Sequence, residues 1–364
     1  REQGDLDAAM ADSHHSVDVT YTTAPQHAAA MEPHAAVAVW EGERLTLHGT
    51  LQMLKYNRAE LADALGVEEE QVHILSPHVG GGFGSKLGIS AESVAAALAA
   101  RALGRPVRVV MSRQQVFETT THRTATRQRM RLAADADGRL TAIGHEDRVY
   151  NLPGNGFSEP TAQSTRFLYA GESRRMAQEV ARVNRACTGA VRAPGEAVGM
   201  LALEAAMDEM AEALELDPIA FRKGNIPQRH PETGKPYSAR ALAECLDDGA
   251  RRFGWGARDP RPAQRREGEW WIGIGMAAAA RVNIVSPSRA RVTLRKDGTV
   301  LVETDMTDIG TGTYAILNQI AAEMLGLPPE RVEVRLGDTD LPPASGSGGS
   351  MGASSTGSAV FVAC

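Results

Sequence analysis

An Asp-Gly pair set between two alternating apolar runs occurs twice in this chain. Arg129-Met-Arg-Leu132 leads to Asp137-Gly138 and returns through Arg139-Leu-Thr-Ala-Ile143. Arg291-Val-Thr-Leu294 leads to Asp297-Gly298 and returns through Thr299-Val-Leu-Val302. Asp-Gly in this setting is a strong hairpin signal, because the central residues of a tight type I′ turn need positive φ. Each hairpin is expected to open a β-ribbon in its own domain, so the fold class read here is α+β on a duplicated plan. A chain of 364 residues, 43% of them apolar, has length for two or three domains and a sizeable core.

The remaining periodicity fills in that plan. Val17–Thr23, Ala35–Trp40 and Val72–Leu75 read as strands. Helices are expected over Arg58–Leu65, ended by Gly66, and over Ala91–Leu103, ended by Gly104. Ala197–Leu214 is also helical, with Met200, Leu203, Met207, Met210 and Leu214 on one face. Pro227–Gly268 reads as a linker holding one helix around Ala239–Phe253. A second domain starts near Trp270 and contains a helix over Tyr314–Leu325, ended by Gly326. The expected limits are a first domain at 1–226, the linker at 227–268 and a second domain at 269–364. Arg1–Asp12 and the apolar Ala359–Val362 read as cut ends.

Charge and cysteine usage remove several classes of function. Charged residues make up 23% and the net charge is -6, which gives nucleic acid no basic face to bind. No apolar run reaches the length of a membrane span. The chain begins with Arg1 and shows no signal peptide; the cytoplasm is expected, with the periplasm left open. Cys187, Cys245 and Cys364 form no C-x-x-C pair, and an iron–sulfur cluster needs about four thiolates. The ten histidines contain no H-E-x-x-H, so no protein-ligated zinc is expected.

Several motifs suit oxyanions. Gly80-Gly-Gly-Phe-Gly-Ser-Lys86 lies between a strand and a helix, where its backbone N–H groups can approach an anion closely. Ser85 and Leu87 break both the phosphate-loop and the dinucleotide fingerprints. On glycine count alone, a cofactor cradle and a plain turn are equally supported. Arg192-Ala-Pro-Gly-Glu196 opens the long helix; taken alone it reads as an N-cap turn with a surface arginine. Asp308-Ile-Gly-Thr-Gly-Thr313 joins a strand to a helix. Ser345–Gly357 reads either as a linker or as a phosphate turn. Glu204 and Asp208 read as a solvated or structural helix face, and His14-His15 as solvated. No serine has the context of a hydrolase triad.

The order of these motifs carries more than any one of them. Met31-Glu-Pro-His34, Gln52, Gly80–Lys86, Arg192–Glu196, Asp308–Thr313, Gly337-Asp-Thr-Asp340 and Gly352-Ala-Ser-Ser-Thr356 succeed one another as in the molybdopterin-binding large subunit of the xanthine dehydrogenase/aldehyde oxidase family, which the chain resembles from about Thr23 to Val360. The resemblance implies duplicated molybdenum-cofactor-binding domains truncated at both ends. It places Gln52 near the molybdenum oxo group and Gly81, Gly82, Phe83 and Gly84 close to the metal centre. Arg192 falls on the pterin, and Gly310, Thr311 and Gly312 fall on the cofactor. Ala353, Ser354 and Ser355, within the Gly352–Thr356 turn, fall on the pterin side chain and phosphate. The metal is then held by the pterin dithiolene and not by side chains.

The implied reaction is hydroxylation of an aldehyde or N-heterocycle with water-derived oxygen. Electrons would pass to 2Fe-2S and FAD groups on partner subunits. The implied cofactor is molybdenum with molybdopterin, with or without a cytosine dinucleotide. Thr311 stands where many members have glutamine. Leu87 stands in the substrate position where purine-oxidising members carry glutamate. The Gly-Glu motif with the catalytic glutamate is expected beyond residue 364, leaving that group absent from this chain. A non-catalytic homologue or structural fragment without cofactor, and a nucleotide-binding transferase using the glycine loop, are the rival readings.

Overall fold

A computed structural model describes residues 1–364. The chain forms two compact units, each assembled from separated stretches. One comprises 1–25, 124–184 and 193–282; the other comprises 26–123, 185–192 and 283–364. These units cut across the limits expected at 226 and 268. The reason is local: strand Val72–Leu75 bonds to the segment after Arg335, through Ser76 N–H to Gly337 O at 2.7 Å and Thr339 N–H to Ile74 O at 3.1 Å.

In the first unit a five-stranded sheet runs Glu2–Gln3, Ser173–Arg182, Leu140–Asn151, Thr126–Ala134, His15–Thr23. Leu140–Asn151 and Ser173–Arg182 pair parallel, and the rest antiparallel. The helix Glu196–Ala213 packs on strands His15–Thr23 and Thr126–Ala134. Its apolar stripe, Met200, Leu203, Met207 and Met210, is buried against Met130, Leu132 and Ile143 as the spacing predicts. Each such side chain contributes roughly 1.5–3 kcal/mol on burial. Glu204 on the same helix is not solvated. It lies in the core, bonded to Arg222 at 2.8 Å, the Tyr169 hydroxyl at 2.7 Å and the Ala278 N–H at 2.7 Å.

The second unit contains the duplication. The hairpin Ala35–Glu41/Arg44–Gly49 is followed by helix Leu54–Leu65, a 3-10 turn at Glu69–Gln71, and strand Val72–Leu75, which pairs parallel with Arg44–Gly49. The hairpin Arg291–Leu294/Val300–Glu303 is followed by helix Thr313–Leu325, a 3-10 turn at Pro329–Arg331, and strand Val332–Arg335, parallel to Val300–Glu303. Both crossing helices end on a left-handed glycine, Gly66 and Gly326, whose N–H bonds back into the last turn. A further helix packs on the first strand of each hairpin: Ala91–Leu103 in one copy and Gly352–Ala363 in the other.

The repeat therefore pairs 35–103 with 291–363, and not the two Asp-Gly hairpins with one another. Asp137-Gly138 turns a hairpin in the other unit's sheet. The true counterpart of Asp297-Gly298 is the turn at Gly42, whose φ is 61°. Asp-Gly reports a tight turn and carries no information about the elements after it. The linker region holds a helix at Leu242–Phe253 and a short exposed hairpin, Arg265–Glu267/Trp270–Ile272. No helix is long and apolar enough to cross a membrane.

Candidate functional site

Within the second unit, the corresponding connections of the two repeats meet at Gln52. This residue leaves strand Arg44–Gly49 and is 2% exposed. Its Oε1 accepts the N–H of Gly84 at 3.1 Å and of Lys86 at 3.3 Å, both from the glycine loop. Its Nε2 donates to Ser347 O at 2.6 Å, in the small-residue loop of the second repeat. Its carbonyl accepts the Ser347 N–H at 2.8 Å and the Thr307 hydroxyl at 3.1 Å. The Ser347 hydroxyl donates in turn to Thr307 O at 2.5 Å. Gln52 is a residue the sequence marks for the site. Ser347 is one it misses, because it lies undistinguished in a run of serines and glycines.

The glycine loop is held in a conformation few sequences allow. Gly81, Phe83 and Gly84 have φ of 92°, 52° and 105°. A Cβ on Gly84 would lie 2.0 Å from Ala190 O, so only glycine fits there. Arg192 donates its N–H to Phe83 O at 2.8 Å and carries its exposed guanidinium 5.9 Å from the Phe83 ring centroid. The Gly82 and Phe83 N–H groups donate to no acceptor in the protein.

Beneath the loop lies a polar support. His34 Nε2 lies 3.0 Å from Ser85 O, which fixes it as the donor. Burial pushes the pKa of the His34 imidazole down, which favours its neutral form. Lys86 is fully buried, its ammonium 2.6 Å from Glu32 Oε2. Burial lowers its pKa, and the Glu32 carboxylate opposes that shift.

The two remaining loops differ in what they offer. The amides of Gly310, Thr311 and Gly312 are taken up by the Asp308 carboxylate at 2.8, 3.1 and 3.3 Å, and its other oxygen accepts the Tyr314 N–H at 3.4 Å. The Thr311 hydroxyl faces the Thr313 hydroxyl at 3.5 Å. Gly352–Thr356, expected as a turn, is the opening of helix Gly352–Ala363. Glycine and serine favour turns by propensity, yet Ser355 and Thr356 are buried and fix the segment as helix. No side chain caps this helix, and the Gly352, Ala353 and Ser354 N–H groups have no acceptor. The Ser355 hydroxyl accepts the Ser286 N–H at 3.0 Å, and the Ser354 hydroxyl donates to Met351 O at 3.0 Å. Leu87 is partly buried against the 345–349 loop; a Cβ on Gly348 would lie 3.0 Å from it.

At the start of helix Glu196–Ala213, in the first unit, Ala197 N–H bonds to Ala193 O at 3.0 Å and Gly199 N–H to Gly195 O at 2.7 Å. Gly195 N–H bonds to Glu159 Oε1 at 2.7 Å, and Glu196 bonds to Gln163 and Arg281 at 3.1 Å each. His73, Asp338 and Asp340 present ligand-type atoms within 4.8 Å of one another. They are held by protein partners, with His73 hydrogen-bonded to Asp338 at 2.8 Å and Asp340 paired with Arg44 at 2.8 Å.

Models of the molybdopterin cofactor-binding domain match residues 1–226 and 248–364. The chain is 49% identical over 362 residues to the aldehyde oxidoreductase molybdenum-binding subunit PaoC of Escherichia coli (strain K12), covering 99% of this chain and 49% of that protein. It is 28% identical over 327 residues to the xanthine dehydrogenase molybdenum-binding subunit of Escherichia coli O157:H7, covering 86% of this chain and 43% of that one. Among solved structures, the aldehyde oxidoreductase from Desulfovibrio gigas superposes with a TM-score of 0.88 at 25% identity, covering 100% of this chain and 41% of that chain. The chain thus spans about half the length of the curated relatives it matches.

Proposed function

The chain belongs to the molybdopterin cofactor-binding domain family, and on that premise we propose that the loops gathered at Gln52 hold a molybdenum–pterin group in a molybdenum hydroxylase subunit. The observation that carries this reading is the set of N–H donors left without a protein acceptor. Gly82 and Phe83 supply them from the first repeat, and Gly352, Ala353 and Ser354 from the second. A helix start without a cap and a glycine loop with free amides are suited to phosphate and pterin oxygens.

Residues of this chain divide the work by their chemistry. Arg192 brings a planar positive fork for pterin or phosphate oxygens. Gln52 keeps one Nε2 hydrogen beyond its bond to Ser347 O, available to an oxygen of the group. Gly82 and Gly84 let the loop pack closely on its support, since a Cβ there would lie 2.3 Å from Gln52 Oε1 and 2.0 Å from Ala190 O. Gly310–Gly312 act through Asp308 by shaping their loop, since their amides are already bonded. When bound, the cofactor supplies two-electron oxidation of an electron-poor carbon with oxygen from water.

Aldehydes are the proposed substrates, with N-heterocycles second. Leu87 offers no hydrogen bond to a purine edge, and the relative at 49% identity is an aldehyde oxidoreductase subunit. Electrons would leave through 2Fe-2S and FAD groups outside these residues, on partner subunits or on other segments, because three separated cysteines cannot ligate a cluster. Molybdenum and released pterin measured on the purified native protein test the reading. Stoichiometric amounts of both are expected; a folded protein containing neither is a cofactor-free homologue and overturns it.

A further inference from the structure

The motif Met31-Glu-Pro-His34 has no assigned task, yet it lies directly under the glycine loop. Glu32 Oε2 accepts the Gly80 N–H at 2.9 Å and the Lys86 ammonium at 2.6 Å. One carboxylate oxygen therefore ties the first residue of the loop to the last. The Lys86 ammonium also donates to Glu32 O at 3.2 Å. The turn carrying Glu32 is itself anchored, because Arg113 Nη2 donates to Ala30 O at 2.5 Å and Met31 O at 3.0 Å. Across the loop, Gln52 Oε1 takes the Gly84 and Lys86 amides. Gly82 and Phe83 project between these two clamps with their N–H groups free.

We infer that Glu32, with Lys86, is a positioning residue that closes the glycine loop and so holds its free amides in place for the cofactor. This rests on the reading that the loop faces a molybdenum–pterin group. The physical need is clear. Gly80–Gly84 has almost no side chains to restrain it, and glycine loses the most conformational freedom on ordering. Amides that must meet an oxyanion gain from being held before it arrives. A buried ammonium sharing one carboxylate oxygen with a backbone N–H is a strong, short-range restraint. Neither residue touches the cofactor in this scheme; both act through Gly82 and Phe83.

The test uses the native full-length protein carrying Glu32→Gln, Lys86→Met, and the two together. Three quantities are read: the rate of pterin release, the melting temperature of the cofactor-stripped protein, and hydrogen exchange at the Gly80–Lys86 amides. Each single variant is expected to release pterin faster by on the order of tenfold to a hundredfold, with faster exchange in the loop. The double variant leaves no unpaired buried charge, so its melting temperature recovers towards that of the wild type. Its pterin release stays fast, which a purely structural pair would not produce. Recovery of retention together with melting temperature in the double variant, or unchanged retention in all three, overturns the inference while the cofactor reading stands. A wild type that carries no pterin, in variants of which the loop still opens, overturns the cofactor reading and leaves the clamp.

Discussion

Gln52 and Ser347 exchange two hydrogen bonds across 295 residues of sequence: Nε2 to Ser347 O at 2.6 Å, and Ser347 N–H back to Gln52 O at 2.8 Å. The pair joins the loop after strand Arg44–Gly49 of one repeat to the loop before helix Gly352–Ala363 of the other, and the Gln52 Oε1 extends the link to the glycine loop, which is the counterpart of the Ser347 loop. Gln52→Leu should therefore act on fold and site together. It orphans the Gly84 and Lys86 amides and the Ser347 carbonyl, at about 1–3 kcal/mol for each buried group left unsatisfied. Urea unfolding should show a loss of at least about 3 kcal/mol, with reduced molybdenum content. A variant as stable as the wild type would show that the loops are held elsewhere.

Arg192 should separate the two effects. Its guanidinium is exposed and makes only a long contact to the Phe83 ring, worth about 0.5–1 kcal/mol at an exposed site. Arg192→Ala should leave the melting temperature of the cofactor-free protein nearly unchanged. A charge-assisted bond to a cofactor oxygen contributes roughly 1.5–3 kcal/mol, so pterin retention should fall by tenfold or more. Unchanged pterin content after purification would remove Arg192 from the site.

How far the sequence alone reaches depends on the range of the interactions. Ala91–Leu103 is readable to the residue because its end is marked locally by Gly104. Helix Leu54–Leu65 starts earlier than its periodicity suggests, since Met53 offers no capping side chain to mark the boundary. Gly352–Thr356 is hidden because its helix is set by the burial of Ser355, Thr356 and Gly357 and not by propensity. The repeat is legible in part: Leu65-Gly66-Val67 before Val72 and Leu325-Gly326-Leu327 before Val332 share one spacing. The two Asp-Gly turns conceal it, because they point to the wrong pair of hairpins. The Glu32–Lys86 and Gln52–Ser347 contacts join residues far apart in sequence, and a lone Glu or Ser carries no mark of a distant partner.

Asp147 should give the chain a pH-dependent stability. It lies buried in the first unit, where Thr161 Oγ1 donates to Oδ2 and Oδ1 has no partner. Burial pushes its carboxyl up from 3.8 to about 7, and the Gln178 amide opposes this only partly. The folded chain then keeps a proton that the unfolded chain gives up. This contribution is full below pH 3.8 and declines until about pH 7. His145, which burial holds near 3, works in the opposite sense, adding stability as pH rises to 6.5. Asp147→Asn cancels the first effect and leaves the second. The melting temperature of the variant minus that of the wild type should grow from pH 4 to 7 and then level off. A difference that stays flat across that range would mean Asp147 ionises freely in the folded chain.

Leu87 carries the substrate prediction. It directly follows the buried Lys86, and its side chain packs towards Gly348, next to the loop that Ser347 fastens to Gln52. At this position the chain presents a hydrocarbon, with no hydrogen-bond donor or acceptor. A purine edge facing Leu87 would lose its water without replacement, at about 1–3 kcal/mol for each polar group left unsatisfied. The body of an aromatic or aliphatic aldehyde makes no such demand, and contact with Leu87 contributes roughly 25 cal/mol for each Å² of apolar surface buried. In the enzyme with its partner subunits, kcat/KM for benzaldehyde-type substrates should exceed that for hypoxanthine by at least tenfold, the equivalent of about 1.4 kcal/mol. Leu87→Glu should narrow that ratio from both sides, weakening the aldehyde by removing apolar contact and favouring the purine by supplying an acceptor. If the wild type prefers the purine, or if the substitution leaves the ratio where it was, recognition resides in other residues and Leu87 does not face the substrate.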